Sequence, residues 1–341
     1  MNHPATLKDI AERLGVSIAT VSRALKDSYE IGIATKIRVM ELAKELNYSP
    51  NPYASSLRGR VSKTIAVVLP EVADSFFSQA INGIESVAIN KGYHVLIYLT
   101  HESFEREKAI LAEFKSGRVD GILISVSEET SSGHHVQEII DTGVPVIFFD
   151  RVCEDVETSC ITTNDYECGL KAAQHLAEQG CNRIAYLCTS PAVHISKKRM
   201  DGYRKGLEEN NIRFRDSDIV LCGSNLDQNC RTIENLLKRK YHPNGLIASV
   251  EKLTTPVYLA CKKLGLSIPD DIKLLSFTNL QASLILSPTL TTIAQPAFEM
   301  GAAAATQLFK RLDKKKRQPA NERIVLESTL MVRESSSVAA R

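Results

Sequence analysis

Residues 6–25 read TLKDIAERLGVSIATVSRAL, and this stretch decides the fold of the N-terminal part of the chain. Its first apolar residues recur at the i, i+3, i+4, i+7 spacing that places them on one buried helix face: Leu7, Ile10, Ala11 and Leu14. Thr6, followed by Asp9 three residues later, is typical of the capping box that begins a helix. Gly15 then ends the helix and permits a tight reversal of the chain.

Two further helices are predicted after Gly15. Ser17 caps the second helix, which points three apolar residues inward: Val21, Ala24 and Leu25. The same helix leaves four residues on its outer side: Ile18, Ala19, Ser22 and Arg23. A third helix, over about residues 35–46, buries Val39, Leu42, Ala43 and Leu46. Two short helices joined by a glycine turn and braced by a third form a helix-turn-helix, whose second helix enters the DNA major groove.

These positions resemble the opening pattern of the LacI family of bacterial transcription regulators. The matching residues are Thr6, Asp9, Ile10, Ala11, Leu14, Gly15, Val16, Ser17, Thr20, Val21, Ser22 and Arg23. A second family signature, Leu-x-Tyr-x-Pro-Asn, is matched by residues 46–51. The resemblance implies a DNA-binding repressor that grips a pseudo-palindromic double-stranded operator as a homodimer. The alternative is a three-helix packing unit with no role in DNA binding.

The DNA contacts expected of this head fall into two groups. Ile18, Ala19 and Arg23 are expected to face base edges, and Arg23 alone among them can donate two hydrogen bonds to a guanine. Hydroxyl and amide side chains are expected to contact phosphates: Thr6, Ser17, Thr20, Ser22, Tyr48 and Asn51. The alternative for each hydroxyl is a plain helix cap.

Residues 50–62 are predicted to join the head to the rest of the chain. Pro50 and Pro52 end the third helix, and residues 53–58 are too few to hold a helix alone. A flexible linker is therefore expected without DNA. In the family, the matching Ala-x-x-Leu segment folds on DNA, pairs with its twin and wedges leucine into the minor groove. This resemblance implies a phosphate contact for Ala54 and a base contact for Leu57.

Composition and charge set wider bounds. A chain of 341 residues exceeds the usual size of a single core, so about two large domains, or two and a small one, are expected. The first 63 residues carry a net charge of +4, although the whole chain carries only +2. A basic head on a slightly acidic body suits phosphate contact at one end of the molecule.

Several site types are not expected. The eight cysteines all follow residue 150 and never form Cys-x-x-Cys, which indicates reduced core thiols rather than a metal site. No cofactor or catalytic residue is expected, because the dinucleotide, Walker and nucleophile-elbow patterns are missing. No signal-peptide pattern and no 18-residue apolar run are present, so we expect a cytoplasmic protein without a membrane span.

From residue 63 onward, short apolar runs alternate with amphipathic helical segments. The runs cover residues 64–69, 94–99, 121–125, 145–149, 183–187, 245–249 and 272–277. Helices are predicted near residues 78–91, 166–179, 198–210, 228–239, 255–263 and 297–312. This alternation is typical of parallel sheets covered on both faces. The predicted fold is therefore α/β, with two parallel-sheet lobes behind the all-α head and a ligand cleft at the carboxyl ends of the strands.

The order of these elements resembles the effector domain of the LacI family, which is built like a periplasmic sugar-binding protein. The resemblance implies a head over residues 1–49, a hinge over 50–62 and an effector domain over 63–341. The chain should cross between lobes near Thr163, Thr292 and Ile324. The expected N-lobe then covers residues 63–162 and 293–324, and the expected C-lobe covers 163–292 and 325–341.

Seven effector-binding residues follow from the same resemblance: Phe76, Phe77, Asp150, Arg199, Glu251, Thr278 and Gln295. Aromatic packing, an aspartate acceptor and an arginine donor suit a polyhydroxylated small molecule, a sugar or a sugar derivative. The alternative for the phenylalanines is ordinary core packing.

Two of these positions depart from the family pattern. Glu251 stands where an Asn-Asp pair is usual, and Thr278 stands where an aspartate is usual. Because acceptors are lost while His194, Lys197 and Lys198 lie near Arg199, we also consider an anionic effector such as a sugar phosphate or sugar acid.

Two other classes of protein compete with a regulator. An exported sugar-binding protein would explain the body, but the missing signal-peptide pattern opposes it. A sugar-metabolising enzyme would give no role to a helix-turn-helix. The sequence therefore favours an effector-controlled regulator of a carbohydrate-utilisation operon.

Overall fold

The structure, a computed structural model, describes residues 5–48, 62–190, 193–313 and 320–337. The chain divides between Ser62 and Lys63 into two compact units, a helical head and a larger α/β body. Within the described ranges, no helix is both long enough and apolar enough to cross a membrane.

The head is the predicted three-helix unit, with α1 over Leu7–Leu14, α2 over Ile18–Leu25 and α3 over Ile33–Glu45. The capping box is present, because the Thr6 backbone N–H donates to Asp9 Oδ2 at 2.7 Å and the Asp9 N–H donates to Thr6 Oγ1 at 3.3 Å. Its buried core consists of Ile10, Ala11, Val21, Ala24, Val39 and Ala43. Helix α3 begins earlier than predicted, because Gly32 adopts an extended backbone and serves as its N-cap.

The body consists of two lobes, each built on a six-stranded sheet. The N-lobe strands are β1 (Thr64–Leu69), β2 (His94–Leu99), β3 (Gly121–Ile124), β4 (Val146–Phe149), β5 (Cys160–Thr163) and β11 (Arg323–Leu326). They lie in the order β11-β5-β4-β3-β1-β2, and all neighbours are parallel. Four helices cover this sheet: α4 (Ser75–Asn90), α5 (Phe104–Phe114), α6 (His134–Asp141) and α11 (Ala297–Leu312).

The C-lobe repeats this plan. Its strands are β6 (Ile184–Cys188), β7 (Ile219–Leu221), β8 (Gly245–Ala248), β9 (Lys273–Phe277), β10 (Thr291–Ala294) and β12 (Thr329–Met331). They lie in the order β12-β10-β9-β8-β6-β7, with β12 antiparallel to β10 at the edge. Its helices are α7 (Asp165–Glu178), α8 (His194–Glu209), α9 (Leu226–Leu237) and α10 (Thr254–Leu264).

Each sheet is covered on both faces, as the continuous apolar runs predicted. All six residues of β1 are buried, which is the pattern of a central parallel strand rather than of a half-exposed one. One face of the N-lobe sheet packs on α4 and α11, and the other packs on α5 and α6. The α/β prediction with two parallel-sheet lobes is thus confirmed.

The chain passes between the lobes three times. The first crossing follows Thr163, where β5 ends and α7 begins. The second follows Ala294, because Ile293 and Ala294 still pair with β12 in the C-lobe sheet. The third lies between Leu326 and Thr329, since β11 pairs with β5 through Leu326. The second and third crossings therefore come a little later than the positions near residues 292 and 324 that the sequence pattern indicated.

Candidate functional site: an exposed reading helix and an interlobe cleft

Helix α2 presents the residues expected to read DNA on the outside of the head. Ile18, Ala19 and Arg23 are exposed, while Val21 and Ala24 on the opposite side are fully buried. The Arg23 guanidinium forms an ion pair with Glu30, with Nη1 and Oε2 2.9 Å apart. The helix thus has one face committed to the core and one face available to a partner.

The hydroxyl groups expected at phosphates also have structural roles. Thr6 caps α1, and Ser17 caps α2 by accepting the Thr20 backbone N–H at 3.1 Å. Ser17 Oγ and Thr20 Oγ1 are hydrogen-bonded at 2.9 Å. Ser22 is half-buried on α2. Thr6 and Ser17 therefore act as helix caps, and the Thr6 hydroxyl also donates to Asp9 Oδ2 at 2.7 Å. A phosphate contact by Thr6 requires its hydroxyl proton to leave Asp9, and the phosphate contacts stay predictions.

The remaining predicted DNA residues lie towards the hinge. Tyr48 is half-buried and packs against the core of the head. Asn51, Ala54 and Leu57 lie outside the described residues, so their expected contacts stay predictions.

The seven residues expected to bind an effector all line one cavity between the lobes: Phe76, Phe77, Asp150, Arg199, Glu251, Thr278 and Gln295. Four of them lie in loops after parallel strands, which meet at the carboxyl edge of each sheet, whereas Phe76 and Phe77 lie at the start of α4 and Arg199 lies on α8. The cavity has a volume of about 50 Å³, far below the ~300–1,000 Å³ of typical small-molecule pockets. The lobes are therefore closed on each other.

The N-lobe side of the cleft is built around the start of α4. Phe76 and Phe77 are buried there, with their ring centroids 5.3 Å apart in an edge-on arrangement. Asp74 caps the helix, since its Oδ1 accepts the Phe76 N–H at 2.8 Å. Asp150 follows β4 with a left-handed backbone (φ 61°) and accepts one hydrogen bond, from Ser125 Oγ at 3.2 Å. A strained residue at a strand end, with a buried carboxyl group, is typical of a binding site.

The C-lobe side is built around Arg199, which is buried on α8. Its Nε donates to Asp165 Oδ1 at 2.8 Å and its Nη1 donates to the Ser249 carbonyl at 2.8 Å. Its guanidinium carbon lies 4.3 Å from the centre of the Phe277 ring. These contacts fix the plane of the guanidinium group and leave Nη2 without a hydrogen bond among the described residues. Arg199 is thus held ready to donate into the cavity.

Glu251 closes the cleft by bonding across it. It begins a short 3-10 turn (Glu251–Leu253) after β8, and its Oε1 accepts the Ser75 N–H of the N-lobe at 3.1 Å. Its Oε2 accepts short hydrogen bonds from Ser75 Oγ and Thr278 Oγ1.

Further polar contacts join the lobes, among them two hydrogen bonds between side chains. Asn279 Nδ2 donates to Gln79 Oε1 at 3.0 Å, and Thr189 Oγ1 donates to Glu128 Oε1 at 2.5 Å. Together with Glu251, these groups help to hold the closed arrangement.

The cleft lining is rich in carboxyl groups. Four acidic residues line it, Asp74, Glu128, Asp150 and Glu251, against two arginines, Arg151 and Arg199. Both arginines are already bonded to carboxylates behind the lining, Arg199 to Asp165 and Arg151 to Glu102 at 2.8 Å.

The pKa values of two lining acids reflect this crowding. Burial and the neighbouring Glu251 raise the pKa of Asp74 to about 7. Burial raises the pKa of Asp150 to about 6, although Arg151 and Arg199 act in the opposite direction. Both raised pKa values favour the protonated, uncharged carboxyl group, so the lining resists the addition of further negative charge.

The acidic lining of the cleft argues against the reasoning that led to an anionic effector. Lys197 and Lys198 are exposed on α8 and do not line the cavity. His194 forms an ion pair with Glu154 at 2.9 Å, and desolvation lowers its pKa. Spacing alone suggested a cationic cluster, but Lys197 and Lys198 point to solvent from other sides of α8 than the buried Arg199.

The charged lining residues that the sequence analysis missed are Asp74, Glu128 and Arg151. Each lies in a loop directly after a buried N-lobe strand. The rule that ligands bind at the carboxyl ends of parallel strands would have found them. Within the described parts of the chain, no group of three or more His, Cys, Asp or Glu side chains could hold a metal ion.

This chain combines a helix-turn-helix head with a two-lobed α/β body that closes over a polar cavity. That combination defines a class of ligand-responsive DNA-binding regulators. Comparison with known families agrees. The family model described as bacterial regulatory proteins, lacI family, matches residues 6–51, and the periplasmic binding protein-like domain matches residues 173–336.

Whole-length relatives identify the family. The chain is 30% identical over 333 residues to the HTH-type transcriptional regulator DegA of Bacillus subtilis, covering 97% of this chain and 98% of the relative. It is 29% identical over 311 residues to the ribose operon repressor of Halalkalibacterium halodurans, covering 91% of each. The fold matches the lac repressor dimer bound to operator with a TM-score of 0.83 at 23% identity, over 98% of this chain and 100% of that one. The chain belongs to the LacI family of DNA-binding transcription regulators.

Proposed function

We propose that this protein is a cytoplasmic, homodimeric repressor of a carbohydrate-utilisation operon, released from or recruited to its operator by a sugar-like effector bound between the lobes. The observation that carries the proposal is the closed cavity of the body, which gathers all seven expected effector residues, in a chain whose head exposes α2. The name of the ribose operon repressor among the relatives supports a sugar-responsive role.

On the DNA side, we propose that Arg23 donates to a guanine while Ile18 and Ala19 contact neighbouring bases. The exposure of all three on α2 supports this assignment. Thr6, Ser17, Thr20, Ser22, Tyr48 and Asn51 are proposed to contact phosphates. The hinge residues Ala54 and Leu57 are proposed to enter the minor groove at the centre of a pseudo-palindromic site.

A homodimer is supported by apolar side chains left on the surface of the body. Those of the C-lobe include Leu221, Leu226, Leu259, Leu284 and Ile285, the last at 84% of its full exposure. Contiguous apolar surface marks protein interfaces, and the lac repressor, whose fold is similar, is a dimer bound to operator. Two heads on one dimer would then read two half-sites about one helical turn apart.

On the effector side, we propose a neutral or cation-bearing polyhydroxy compound. Carboxylates accept hydrogen bonds from hydroxyl groups, Arg199 donates to a ring or hydroxyl oxygen, and Phe76, Phe77 and Phe277 supply apolar faces. An anionic group would enter a cavity that already holds four carboxyl groups and only two arginines.

The test of the proposed function is selection of bound sequences from a random double-stranded DNA pool with the full-length protein. We expect enrichment of one pseudo-palindrome, and a loss of that enrichment for Arg23→Ala. The matched control is Arg13→Ala, which removes the same charge from α1 and should keep the enriched sequence. Salt-sensitive binding without any enriched sequence would contradict a sequence-specific repressor.

A further inference from the structure

Arg23, the residue proposed to read a guanine, is not a free cation in this structure. Its Nη1 lies 2.9 Å from Oε2 of Glu30, and both side chains remain about half exposed, at 59% and 45%. An exposed ion pair contributes little to stability. Its effect on the direction of the guanidinium group is a separate matter, because Arg23 has to meet a base edge with a defined geometry.

The loop between α2 and α3 brings Glu30 back to Arg23. The Ser28 N–H donates to the Arg23 carbonyl at 3.0 Å, so the chain turns over the end of α2. The Glu30 N–H donates to Ser28 Oγ at 3.4 Å, and the next residue, Ile31, packs against the core of the head. Glu30 is therefore positioned by the turn on one side and by an apolar anchor on the other.

The geometry of the pair leaves one edge of the guanidinium group available. A guanidinium group has five N–H donors in a fixed planar fork. With Nη1 held by Glu30, Nε and Nη2 make no hydrogen bond among the described residues and form a two-donor edge. A guanine presents two acceptors, O6 and N7, at a matching spacing in the major groove.

We propose that Glu30 is a positioning residue for Arg23: its carboxylate fixes the guanidinium plane so that the opposite edge meets a guanine, and it thereby sets base selectivity. The inference rests on the proposed DNA-reading role of Arg23. Glu30 also places a negative charge beside the DNA-facing helix, where it opposes phosphates and weakens binding to DNA of any sequence. Selectivity and low non-specific affinity thus arise from one side chain.

The test compares the wild type, Glu30→Gln and the control Glu41→Gln in quantitative selection from a random DNA pool. Glu41 is exposed on α3, and no ion pair of it occurs among the described residues, so its substitution removes the same charge away from Arg23. We expect Glu30→Gln to lower the preference for guanine at the Arg23 position by about threefold to tenfold, a part of the discrimination that a two-bonded arginine supplies. Its affinity for a scrambled duplex should rise about threefold.

The same substitution in an Arg23→Ala background separates positioning from direct reading. If Glu30 acts through Arg23, Glu30→Gln changes no base preference once Arg23 is removed. A preference that shifts equally in both backgrounds would show that Glu30 contacts a base itself and overturns the proposal. A uniform change of affinity in Glu30→Gln, matched by Glu41→Gln, overturns it as well. If the wild type enriches no sequence at all, the proposed function fails first, and this inference fails with it.

Discussion

Two requirements conflict at the carboxyl group of Asp74. As the N-cap of α4 it is favoured in its ionised form, since it accepts the Phe76 N–H and lies at the positive end of the helix dipole. Burial and the nearby Glu251 oppose ionisation and outweigh the cap, because the pKa is raised to about 7. The closed cleft therefore binds a proton more tightly than an unfolded chain does.

Asp74→Asn is expected to reveal this conflict as a pH-dependent gain in stability. Asparagine keeps a capping oxygen but carries no charge. The pKa of Asp74 rises from its ordinary value of 3.8 to about 7 in the folded protein, so the wild type loses stability as the pH rises through that interval. Thermal melting should show similar stabilities near pH 4 and a variant more stable by about 1–2 kcal/mol at pH 8. The control Glu299→Gln, in the exposed first turn of α11, should show no such gain. If Asp74→Asn and the wild type have equal stability profiles against pH, ionisation of Asp74 does not oppose folding.

The residues of the cleft were predictable to different degrees. Phe76 and Asp150 were predicted from their places after strands and from the family resemblance, and Arg199 was predicted from the resemblance alone. The contact of Glu251 with Ser75 could not be predicted, because it joins residues 176 positions apart and depends on how far the lobes close. Contacts of this kind depend on the tertiary structure, so no local sequence pattern predicts them.

At the scale of elements, each lobe contains a pair of helices that touch through glycine. A Cβ atom built on Gly301 of α11 would lie 2.0 Å from the Ala80 carbonyl oxygen of α4. A Cβ atom on Gly202 of α8 would lie 1.9 Å from the Tyr166 carbonyl oxygen of α7. In both helix pairs the two backbones touch each other, so the two lobes share this packing as well as their sheet order.

Gly202→Ala should therefore destabilise the body by at least about 2 kcal/mol, because the two helices must separate to admit a methyl group. Chemical denaturation of the full-length protein measures the loss. Gly223→Ala is the matched control, since nothing lies within 4 Å of a Cβ built there, and it should stay within about 0.5 kcal/mol of the wild type. Equal effects of the two substitutions would contradict the close crossing.

Element positions were predicted best where the apolar period is strong. Helix α11 begins and ends where its pattern indicated, whereas α8 begins at His194 and not near residue 198. Strands β11 and β12 lie at sheet edges, where their residues alternate between exposed and half-buried, and β11 was not predicted from the sequence pattern. Their place depends on partners far away in the sequence, β5 and β10.

At the scale of the whole body, the balance of charge in the cleft discriminates between classes of effector. We expect neutral mono- and disaccharides to bind at least about tenfold more tightly than their phosphate esters, since a phosphate adds negative charge to a partly desolvated acidic cavity. Calorimetric titration of matched sugar and sugar-phosphate pairs measures the difference. If any phosphate ester bound more tightly than its parent sugar, the proposal that the effector is not anionic would be wrong.

The bond from Glu251 to Ser75 also has a kinetic consequence. A cavity of about 50 Å³ admits water but not a monosaccharide, so an effector binds only after the lobes part. Its apparent dissociation constant is then the intrinsic one divided by the open fraction. The observed association rate should level off at the opening rate as the effector concentration rises. The side chain at position 251 thereby sets the concentration range over which the regulator responds, even if every other contact to the effector stays the same.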